Sequence, residues 1–408
     1  MSSLDGCGFG LWYAIPLRME AAAICREHTN IQLDLPRILI ADDQPHILVA
    51  LEMLLRSSGF ATEVVTDPGR VLGEIETEQF DAVLMDLNYT RGSVGGEEGL
   101  RLVSQIRSAD SLLPVIVMTA WSSVDLAVEA MRRGASDFIQ KPWENRELLQ
   151  KLQSQISLAR QQRRAQRLHD EELRDARAIQ DELLPKRLPE VAGYDIAAMT
   201  QPLKFVGGDY YNIVRTSGRE TAFCIADVAG KGMPAALLMS SLHAALKPLM
   251  GQRLAAAELC DRLNRILCDF TPVGKFCSFF YGVLDNVEHR LRYCNAGHNP
   301  PLLVRADGRC EELNAGGAVL GQFPAWRYQD EEVAMGNGDK LLLFTDGLVE
   351  ASNGNQEAFG EENLIRVARE SSGCTAESLM HSLIRSASEH CGGNFQDDAS
   401  LIVLQAKQ

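Results

Sequence analysis

The sequence predicts two folded units of different class: an α/β doubly wound five-stranded parallel sheet, joined by a long coiled-coil helix to an α+β β-sandwich flanked by helix pairs. Two observations support this prediction. Between residues 36 and about 150, short apolar runs alternate with amphipathic stretches, which is typical of parallel strands connected by helices. After Pro185 this alternation is replaced by groups of short strands and paired helices. The segment between the two regions contains neither Gly nor Pro.

Composition limits the functions that this chain can have. Its 408 residues are enough for two or three domains, each with its own core. A net charge of −15 disfavours binding to nucleic acid, and no basic arm or helix-turn-helix pattern is evident. The ten Cys include no CxxC pair, and no signal peptide leads the chain, so we expect a reduced, cytoplasmic protein. The apolar runs are too short to span a membrane.

The first unit is expected over residues 36–143. It begins with the strand RILIADDQ and the helix HILVALEMLLRSSG, which is closed by Gly59. Residues 1–35 form an N-terminal extension to which the sequence assigns no role. The later strand and helix pairs are ATEVV with VLGEIE, AVLMDL with EGLRLVSQIR, PVIVMTA with SVDLAVEAMRRG, and DFIQKP with the long helix.

Polar side chains stand at the ends of these strands. Asp42 and Asp43 end the first strand and Asp86 ends the third, while Thr119 ends the fourth and Lys141 follows the fifth. Because the carboxyl ends of parallel strands meet at one edge of a sheet, we expect these side chains to converge. Clustered carboxylates require a cation between them, and oxygen ligands suit Mg²⁺. Phosphoryl transfer to a carboxylate, with the lysine neutralising phosphoryl oxygens, predicts an aspartyl phosphate at Asp86.

Each of these residues also has an ordinary structural interpretation, since a strand-end Asp often caps a helix and Lys-Pro is a common turn. The combination is more specific: residues 36 to about 150 resemble the CheY-like receiver domain of bacterial two-component response regulators. That resemblance implies phosphorylation by a sensor histidine kinase or phosphotransfer protein. The loop LNYTRGSVGGEEG departs from the family, because it is longer than usual and lacks the common Pro. The site residues implied are the metal ligands Asp42, Asp43, Asp86 and the main-chain oxygen of Asn88, the switch pair Thr119 and Phe138, and Lys141.

The segment 144–184 is predicted to be one long helix, because it is rich in strong helix formers and is stopped by Pro185. Its apolar residues recur near heptad spacing at both ends, which favours a coiled coil that holds a parallel homodimer. A solvated spacer helix without a partner is the alternative. The apolar positions are Leu148, Leu152, Ile156, Ala159, Leu173, Ala176, Ile179 and Leu183, and the polar centre contains Arg163, Arg164, Gln166, Arg167 and Asp170.

The second unit is expected over residues 185–408. Three successive antiparallel strands, GYDIAAM, DYYNIVRT and TAFCIADV, are predicted to precede two helices, MPAALLMSSLHAALKPL and AAAELCDRLNRILCDF. Two more helices are expected between Glu361 and Cys391. The remaining strands are predicted at FCSFFYGVLD, RLRYCNAG, PPLLVR, CEELN, YQDEEV, DKLLLFTDG and ASLIVLQA.

Four acids in this unit each adjoin a β-rich run and small residues: Asp209 in VGGDYY, Asp227 in ADVAGKG, Asp346 in FTDGLVEA and Asp397 in FQDDASLIV. Four carboxylates at one end of a sandwich can hold two divalent ions roughly 3.5–4 Å apart, with a hydroxide for in-line attack on phosphorus. No Ser, Cys or His completes a triad, and the HNP of NAGHNPPLL is interpreted as a strand-turn element rather than a proton donor. The Gly segments alone are also compatible with ordinary hairpins.

These segments carry a second resemblance, from about Ala178 to the C-terminus, to the bacterial metal-dependent phosphoprotein phosphatases related to protein phosphatase 2C and typified by SpoIIE and RsbU. The resemblance implies two Mn²⁺ or Mg²⁺ ions. The helix segment AIQDELLP resembles the entry to this domain, where a helix from the sensor side can gate metal binding. The implied ligands are Asp209 for both ions, Asp227 and the Val228 carbonyl for one, and Asp346 and Asp397 for the other.

Two further details concern this ligand set. Asp398 adjoins Asp397, so the last ligand is open by one position, and Asp397 is the choice made here. No match is found for the phosphate-binding Arg of the eukaryotic relatives.

Together these patterns predict a two-component response regulator whose output is a phosphoserine or phosphothreonine protein phosphatase. By resemblance, its expected substrate is a phosphorylated anti-sigma-factor antagonist of the STAS type. The alternative is a catalytically silent adaptor that binds such partners under control of the receiver. An adaptor need not keep four acids, and a DNA-binding regulator has no support outside the receiver.

Overall fold

The computed structural model describes residues 35–89, 96–120, 124–371 and 373–407. The N-terminal extension up to residue 34 and the central part of the LNYTRGSVGGEEG loop lie outside the described residues. The chain divides into two compact units, Met1–Leu168 and His169–Gln408. Within the described residues, we find no helix whose length and apolar character would let it traverse a bilayer.

The N-terminal unit contains a five-stranded sheet in the order β2-β1-β3-β4-β5, and every neighbouring pair is parallel. This arrangement confirms the predicted doubly wound fold. The strands are β1 (Arg37–Ala41), β2 (Ala61–Val65), β3 (Ala82–Asp86), β4 (Val115–Ala120) and β5 (Asp137–Lys141). The helices are α1 (Pro45–Ser57), α2 (Pro68–Thr77), α3 (Glu97–Ala109), α4 (Val124–Arg132) and α5 (Asn145–Leu183).

Apolar side chains alternate between the two faces of this sheet, so each face has its own core. One core contains Leu39, Val83 and Val117 of the strands, packed with residues of α2, α3 and α4. The other contains Ile38 and Ile116, packed with residues of α1 and α5. The strands are therefore buried on both sides, and their carboxyl ends remain as the open edge.

The first part of the predicted coiled-coil seam is corrected by the structure. Leu148, Leu152 and Ile156 are 0%, 0% and 4% exposed and belong to the core of the N-terminal unit. Ala159 is also buried, at 6% exposed. These side chains pack on the sheet of their own chain, so a partner helix cannot cover them. Apolar spacing shows that a helix has a buried face, but it does not identify the surface that buries it.

The C-terminal unit contains two sheets, ordered β13-β10-β9-β8-β7, with β14 on β10, and β12-β11-β15-β16-β6. The strands are β6 (Tyr194–Gln201), β7 (Tyr210–Arg215), β8 (Glu220–Val228), β9 (Cys277–Asp285), β10 (Arg290–Ala296), β11 (Leu302–Val304), β12 (Cys310–Glu312), β13 (Gly316–Gly317), β14 (Glu331–Ala334), β15 (Lys340–Phe344) and β16 (Ala399–Ala406). The helices are α6 (Met233–Met250), α7 (Ala256–Cys268), α8 (Asp346–Val349), α9 (Gly360–Glu370) and α10 (Ala376–His390).

The two sheets enclose an apolar core to which Phe280 and Tyr293 contribute from one sheet and Leu343 and Ile402 from the other. Helices α6 and α7 cover the outer face of the first sheet, and α9 and α10 cover that of the second. This arrangement confirms the predicted sandwich flanked by helix pairs.

The prediction that β6, β7 and β8 are successive neighbours is wrong for β6. Strands β7 and β8 pair antiparallel, but β6 pairs along its whole length with β16 in the other sheet, from Tyr194 opposite Ala406 to Gln201 opposite Ala399. A local apolar pattern identifies a strand without identifying a partner almost 200 residues away. The consequence is that the 202–208 loop passes from one sheet to the other.

We predict that Gly99→Ala destabilises the N-terminal unit. A Cβ on Gly99 in α3 would lie 2.6 Å from the carbonyl oxygen of Leu87, so the helix and the segment after β3 must move apart. Overpacking of this kind costs about 1–3 kcal/mol. The matched control is Gly73→Ala in α2, where a Cβ meets nothing within 4 Å and a gain of about 0.5–1 kcal/mol is expected. Amide hydrogen exchange of β1 and β3 in the full chain measures both changes, and equal exchange in the two variants contradicts the prediction.

Candidate functional site

The N-terminal site lies at the carboxyl edge of the parallel sheet. Asp42 and Asp43 follow β1, and Asp86 is the last residue of β3. One ligand atom from each lies within 4.8 Å of the others. Asp42 is 0% and Asp86 4% exposed, and Asp43 Oδ1 is buried without a hydrogen-bond partner. Three converging carboxylates with an unsatisfied oxygen fit a hard divalent cation such as Mg²⁺.

Lys141 supplies the opposing charge in this site. Its Nζ lies 2.6 Å from Asp42 Oδ2 and 3.1 Å from Asp86 Oδ2. Burial raises the pKa of Asp86, the charge of Lys141 opposes that rise, and the charge of Asp42 adds to it. The amide of Leu87 also donates to Asp86 Oδ1 at 2.9 Å. The ammonium group is therefore held beside the carboxylate that is predicted to be phosphorylated.

Of the remaining predicted residues, Thr119 and Asn88 lie near the same edge, whereas Phe138 is the second residue of β5, three residues before Lys141. Thr119 is 3% exposed and pairs in register with Gln140, next to Lys141. Phe138 is 40% exposed on β5, and its ring centroid lies 4.9 Å from Lys151 Nζ. Asn88 is half-buried two residues after Asp86. Their roles as switch pair and metal ligand stay predictions.

The C-terminal site draws its acids from both sheets of the sandwich. Asp209 precedes β7 and Asp227 lies near the end of β8, in one sheet. Asp346 begins α8 directly after β15, and Asp397 precedes β16, in the other sheet. The sandwich brings these strand ends to one edge, so four segments far apart in sequence supply one site.

Asp209 is the most enclosed of these acids, at 5% exposed. Its Oδ2 accepts hydrogen bonds from Thr345 Oγ1 at 2.8 Å and Ser400 Oγ at 2.7 Å. Its Oδ1 is buried without a partner. The two hydroxyl groups hold one oxygen and leave the other without a partner, as expected of a carboxylate placed to bind a metal ion.

Burial and the charges of neighbouring acids raise the pKa values of three of these residues. Burial raises the pKa of Asp209 well above its ordinary value, and the charge of Asp227 adds to the rise. Burial, followed by the charges of Asp346 and Asp397, raises the pKa of Asp227 to about 7. Burial and then the charge of Asp397 raise the pKa of Asp346. This mutual repulsion is what bound divalent cations would relieve.

Lys231 is a functional candidate that the sequence analysis missed. Its Nζ lies 2.7 Å from Asp397 Oδ2 and donates to the Gln396 carbonyl at 2.6 Å. Among the described residues, Asp42, Asp43 and Asp86 form the group of acids whose ligand atoms all lie within 4.8 Å of one another. In the C-terminal site, Asp397 is instead paired with Lys231. The GKG segment directly after Asp227 was the available signal. A cleft of about 590 Å³ adjoins both residues and is also lined by Glu350 and Ser352.

The two adjacent acids before β16 have different surroundings. Asp398 is 5% exposed, and its two oxygens accept hydrogen bonds from the amides of Leu203 and Gly208, both at 2.7 Å. The Asp397 side chain is 34% exposed and faces Lys231. Both carboxylate oxygens of Asp398 thus accept hydrogen bonds from backbone amides, and this geometry favours Asp397 as the metal ligand. Close packing also surrounds the proposed Val228 ligand, because a Cβ on Gly208 would lie 2.8 Å from the Val228 carbonyl oxygen.

His298 of the HNP segment is 4% exposed. Its amide donates to Asn295 Oδ1 at 2.7 Å, and its Nδ1 lies 2.8 Å from Ser278 Oγ. Burial lowers the pKa of His298 to about 4, so the imidazole is neutral at pH 7. These contacts place it in the turn after β10, in agreement with the structural interpretation of the segment.

The hydroxyl residues around Asp209 were also missed by the sequence analysis. Thr345 immediately precedes Asp346, and Ser400 lies in β16, where its Oγ also lies 2.7 Å from Thr200 Oγ1, whose hydroxyl can donate to it. A polar residue inside the run ASLIVLQA was the only local signal for Ser400. Their partner Asp209 lies more than 130 residues away in sequence, so the pairing required the fold.

Two family models match different parts of the chain. Residues 217–407 match the family described as "Stage II sporulation protein E (SpoIIE)", and residues 38–153 match "Response regulator receiver domain". Phosphoserine phosphatase RsbU of Bacillus subtilis (strain 168) is 30% identical over 238 residues, which cover 58% of this chain and 70% of RsbU.

Two further comparisons each concern one unit. Transcriptional regulatory protein PrrA of Mycobacterium tuberculosis is 33% identical over 119 residues, which cover 29% of this chain and about half of PrrA, 49%. The solved SiaA-PP2C domain of Pseudomonas aeruginosa aligns with a TM-score of 0.53 and 21% identity, over 59% of this chain and 98% of that domain. The latter match supports the fold of the C-terminal unit.

We predict that Asp227→Asn stabilises the chain in the presence of a metal chelator. The folded-state pKa of Asp227, about 7, lies above the value of about 3.9 for an unfolded Asp, so the folded state binds more protons between these pH values. Stability is therefore lost as pH rises through this window, and the amide variant avoids that loss. Its thermal midpoint should exceed that of the parent by a few degrees at pH 8.

The difference in midpoint should vanish below about pH 4, where the parent carboxyl group is protonated in both states. Asp330→Asn, at an exposed position of the same unit, is the matched control and should leave the midpoint unchanged. Equal midpoints for Asp227→Asn and the parent at pH 8 would contradict the prediction.

Proposed function

This chain belongs to the SpoIIE family of serine/threonine phosphatases related to protein phosphatase 2C and carries a response-regulator receiver domain, and from that premise we propose that it is a two-component response regulator with a metal-dependent phosphoserine/phosphothreonine protein phosphatase as its output. The observation that carries the catalytic part is Asp209. One oxygen of this carboxylate is held by two hydroxyl groups, and the other is buried without a hydrogen-bond partner.

In the proposed mechanism, Asp209 would help to hold both Mn²⁺ or Mg²⁺ ions, and the other ligands would be divided between them. When bound, the two ions would activate water for attack on phosphorus and neutralise the phosphoryl oxygens of the substrate. Thr345 and Ser400 keep the carboxylate in one orientation. The proposed ligands of the separate ions are Asp227 with the Val228 carbonyl, and Asp346 with Asp397.

The proposed substrate is a phosphorylated anti-sigma-factor antagonist of the STAS type. This proposal is supported by the similarity to RsbU and to a second phosphoserine phosphatase of Bacillus subtilis, RsbP. RsbP is 28% identical over 149 residues, which cover 37% of its own length. The cleft lined by Asp397 and Lys231 is open to a segment of a protein substrate. A flexible phosphoserine loop fits such an open site better than a small molecule that needs enclosure.

In the N-terminal unit, the proposed reaction is transfer of a phosphoryl group to Asp86 from a sensor histidine kinase or phosphotransfer protein. Asp42, Asp43 and the main-chain oxygen of Asn88 would join Asp86 in holding Mg²⁺. Lys141 is already within ion-pair distance of Asp86, so its ammonium group can also pair with the oxygens of a phosphoryl group on Asp86.

A homodimer through α5 remains part of the proposal, with a smaller contact surface than the sequence predicted. Three apolar side chains on the helix are exposed: Leu158 at 50%, Leu168 at 53% and Ile179 at 67%. Exposed apolar residues on a long helix are the kind that a partner helix covers. The buried residues near the start of α5 are excluded from this surface.

We predict that Asp346→Asn abolishes phosphatase activity without unfolding the chain. Loss of one carboxylate ligand should lower kcat/KM by at least about 100-fold, because catalysis depends on the bound ions. The assay is Mn²⁺-dependent release of phosphate from a serine-phosphorylated STAS-type antagonist, with circular dichroism to monitor folding. Asp330→Asn serves as the control. Chelator-insensitive turnover, or full activity in Asp346→Asn, would exclude this mechanism, and a parent that binds the antagonist without hydrolysis would favour the adaptor.

We predict that Asp86→Asn abolishes acid-labile phosphorylation of the chain by a small phosphodonor in the presence of Mg²⁺. Asp86 is the carboxylate that faces both the Asp42 and Asp43 pair and Lys141. The control Asp67→Asn keeps the capping oxygen of α2, which accepts from the Gly69 amide, and should be labelled like the parent. Labelling of Asp86→Asn to the level of the parent would show that another residue is phosphorylated.

A further inference from the structure

Large apolar side chains are exposed on two loops of the C-terminal unit, outside the sites described above. In the loop between α7 and β9, Val273 is fully exposed, and Phe270 and Phe276 are also exposed. In the loop between β13 and β14, Phe323 and Trp326 are exposed. Clustered apolar side chains on a surface, aromatic ones above all, are typical of contacts with other proteins. We refer to these five side chains as the apolar patch.

Helix α7 joins the two loops into one surface. The buried side chain of Asn264 donates to the Phe323 carbonyl and accepts from the Gly321 amide, both at 2.9 Å. Thr271 of the first loop lies against the second, since a Cβ on Gly321 would lie 2.9 Å from Thr271 Oγ1. The ring centroids of Phe323 and Trp326 are 6.1 Å apart. The apolar patch is therefore built by contacts within the fold.

The apolar patch adjoins the proposed metal site. The Phe276 carbonyl accepts from the Ala229 amide at 2.9 Å, and Ala229 directly follows Val228, whose carbonyl is a proposed ligand. The next residue, Cys277, pairs with Val228 on one side and with Leu320 of the second loop on the other. A folded protein that brings a phosphoserine to the metal site therefore lies over these loops as well.

Two lysines lie at the boundary between the apolar patch and the acids. A Cβ on Gly230 would lie 2.6 Å from Lys275 Nζ, so the ammonium group of Lys275 lies close to the segment that contains Lys231. Lys231 in turn lies 2.7 Å from Asp397 Oδ2. A phosphoserine carries a charge of about −1.5 to −2 at pH 7, so this boundary attracts it. The overall charge of the chain, −15, makes such a cationic position informative.

We propose that the apolar patch is the docking surface for the phosphoprotein substrate. An apolar surface of the substrate covers Val273 and the aromatic rings around it, while the phosphoserine passes Lys275 to reach the metal site. The proposal rests on the proposed phosphatase function and extends it from the reaction to the recognition of the substrate. Specificity is thereby assigned to side chains that contact neither the metal ions nor the phosphoryl group.

The charges favour a phosphoprotein over a second copy of this chain as the occupant. In a two-fold symmetric dimer through the apolar patch, each patch would face its own copy, and the Lys275 ammonium groups of the two copies would approach one another. That approach is repulsive. A phosphorylated substrate instead brings negative charge to Lys275 and apolar side chains to Val273.

The test compares Val273→Glu and Phe323→Ser with the parent. Val273 is fully exposed, so its replacement should leave the fold intact, and Phe323→Ser changes the second loop without adding a charge. The matched control is Val287→Glu, an exposed Val in the turn at the other end of β9. With a serine-phosphorylated STAS-type antagonist and Mn²⁺, both patch variants should raise KM about tenfold or more at unchanged kcat, as for other interface anchors. Val287→Glu should behave like the parent.

A small substrate separates docking from catalysis. The ester p-nitrophenyl phosphate is too small to reach from the metal site to the apolar patch, so its kcat/KM should stay within about twofold of the parent in both patch variants. An equal loss on both substrates, or a KM for the phosphoprotein like that of the parent, overturns the inference alone. So does light scattering that shows a parent dimer dissociated by Val273→Glu. A parent that hydrolyses neither substrate overturns the proposed function, and the inference with it.

Discussion

Repulsion between buried carboxylates is the constraint that shapes the C-terminal unit. Burial raises the pKa of both Asp209 and Asp227, and a neighbouring acid adds to each rise: Asp227 for Asp209, and Asp346 for Asp227. The neighbouring cation, Lys231, is paired with Asp397 and only partly offsets the charge felt by Asp227. A fold that keeps such groups together forgoes stability in the absence of cations, and bound divalent ions would return it. The N-terminal site meets the same difficulty with a buried ion pair to Lys141.

Rigid surroundings are needed to keep repelling groups in place, and they come from uncharged residues. Thr345 and Ser400 hold one oxygen of Asp209, while Gly207 and Gly208 allow the backbone to approach Asp398 and the Val228 carbonyl. Each of these contacts links the two sheets of the sandwich or the loop that crosses between them. The stability of the sandwich core is thus what maintains the geometry of the site.

The long helix α5 has different environments along its length. Near its start, Leu148 and Leu152 belong to the core of the N-terminal unit, and near its end Leu183 packs against the core of the C-terminal unit. Leu158 and Leu168 between them are exposed. The helix therefore has three different surroundings along its length, and only its exposed apolar residues are available to a partner helix.

Local patterns were sufficient for the element types and for most of the acids. Alternation of apolar runs with amphipathic stretches predicted the parallel sheet, and the strand-end positions of Asp42, Asp86 and Lys141 predicted their convergence, because parallel strands place their carboxyl ends at one edge. The acids of the C-terminal unit were recognisable from their small neighbours and from resemblance. Their grouping was predicted, but not the residues that support it.

Long-range pairing could not be obtained from the sequence. Three sets of contacts join segments that are distant along the chain. They are the pairing of β6 with β16, the hydrogen bonds from Thr345 and Ser400 to Asp209, and the hydrogen bond from Gln180 to the Gly207 carbonyl. Periodicity indicates that a side chain is buried, and residue type shows that it is polar, but neither identifies the residue that it contacts. Partners are set by packing of the whole unit, which is why the assignment of Asp398 to the backbone and the burial of Leu148 in a core became visible only in the folded chain.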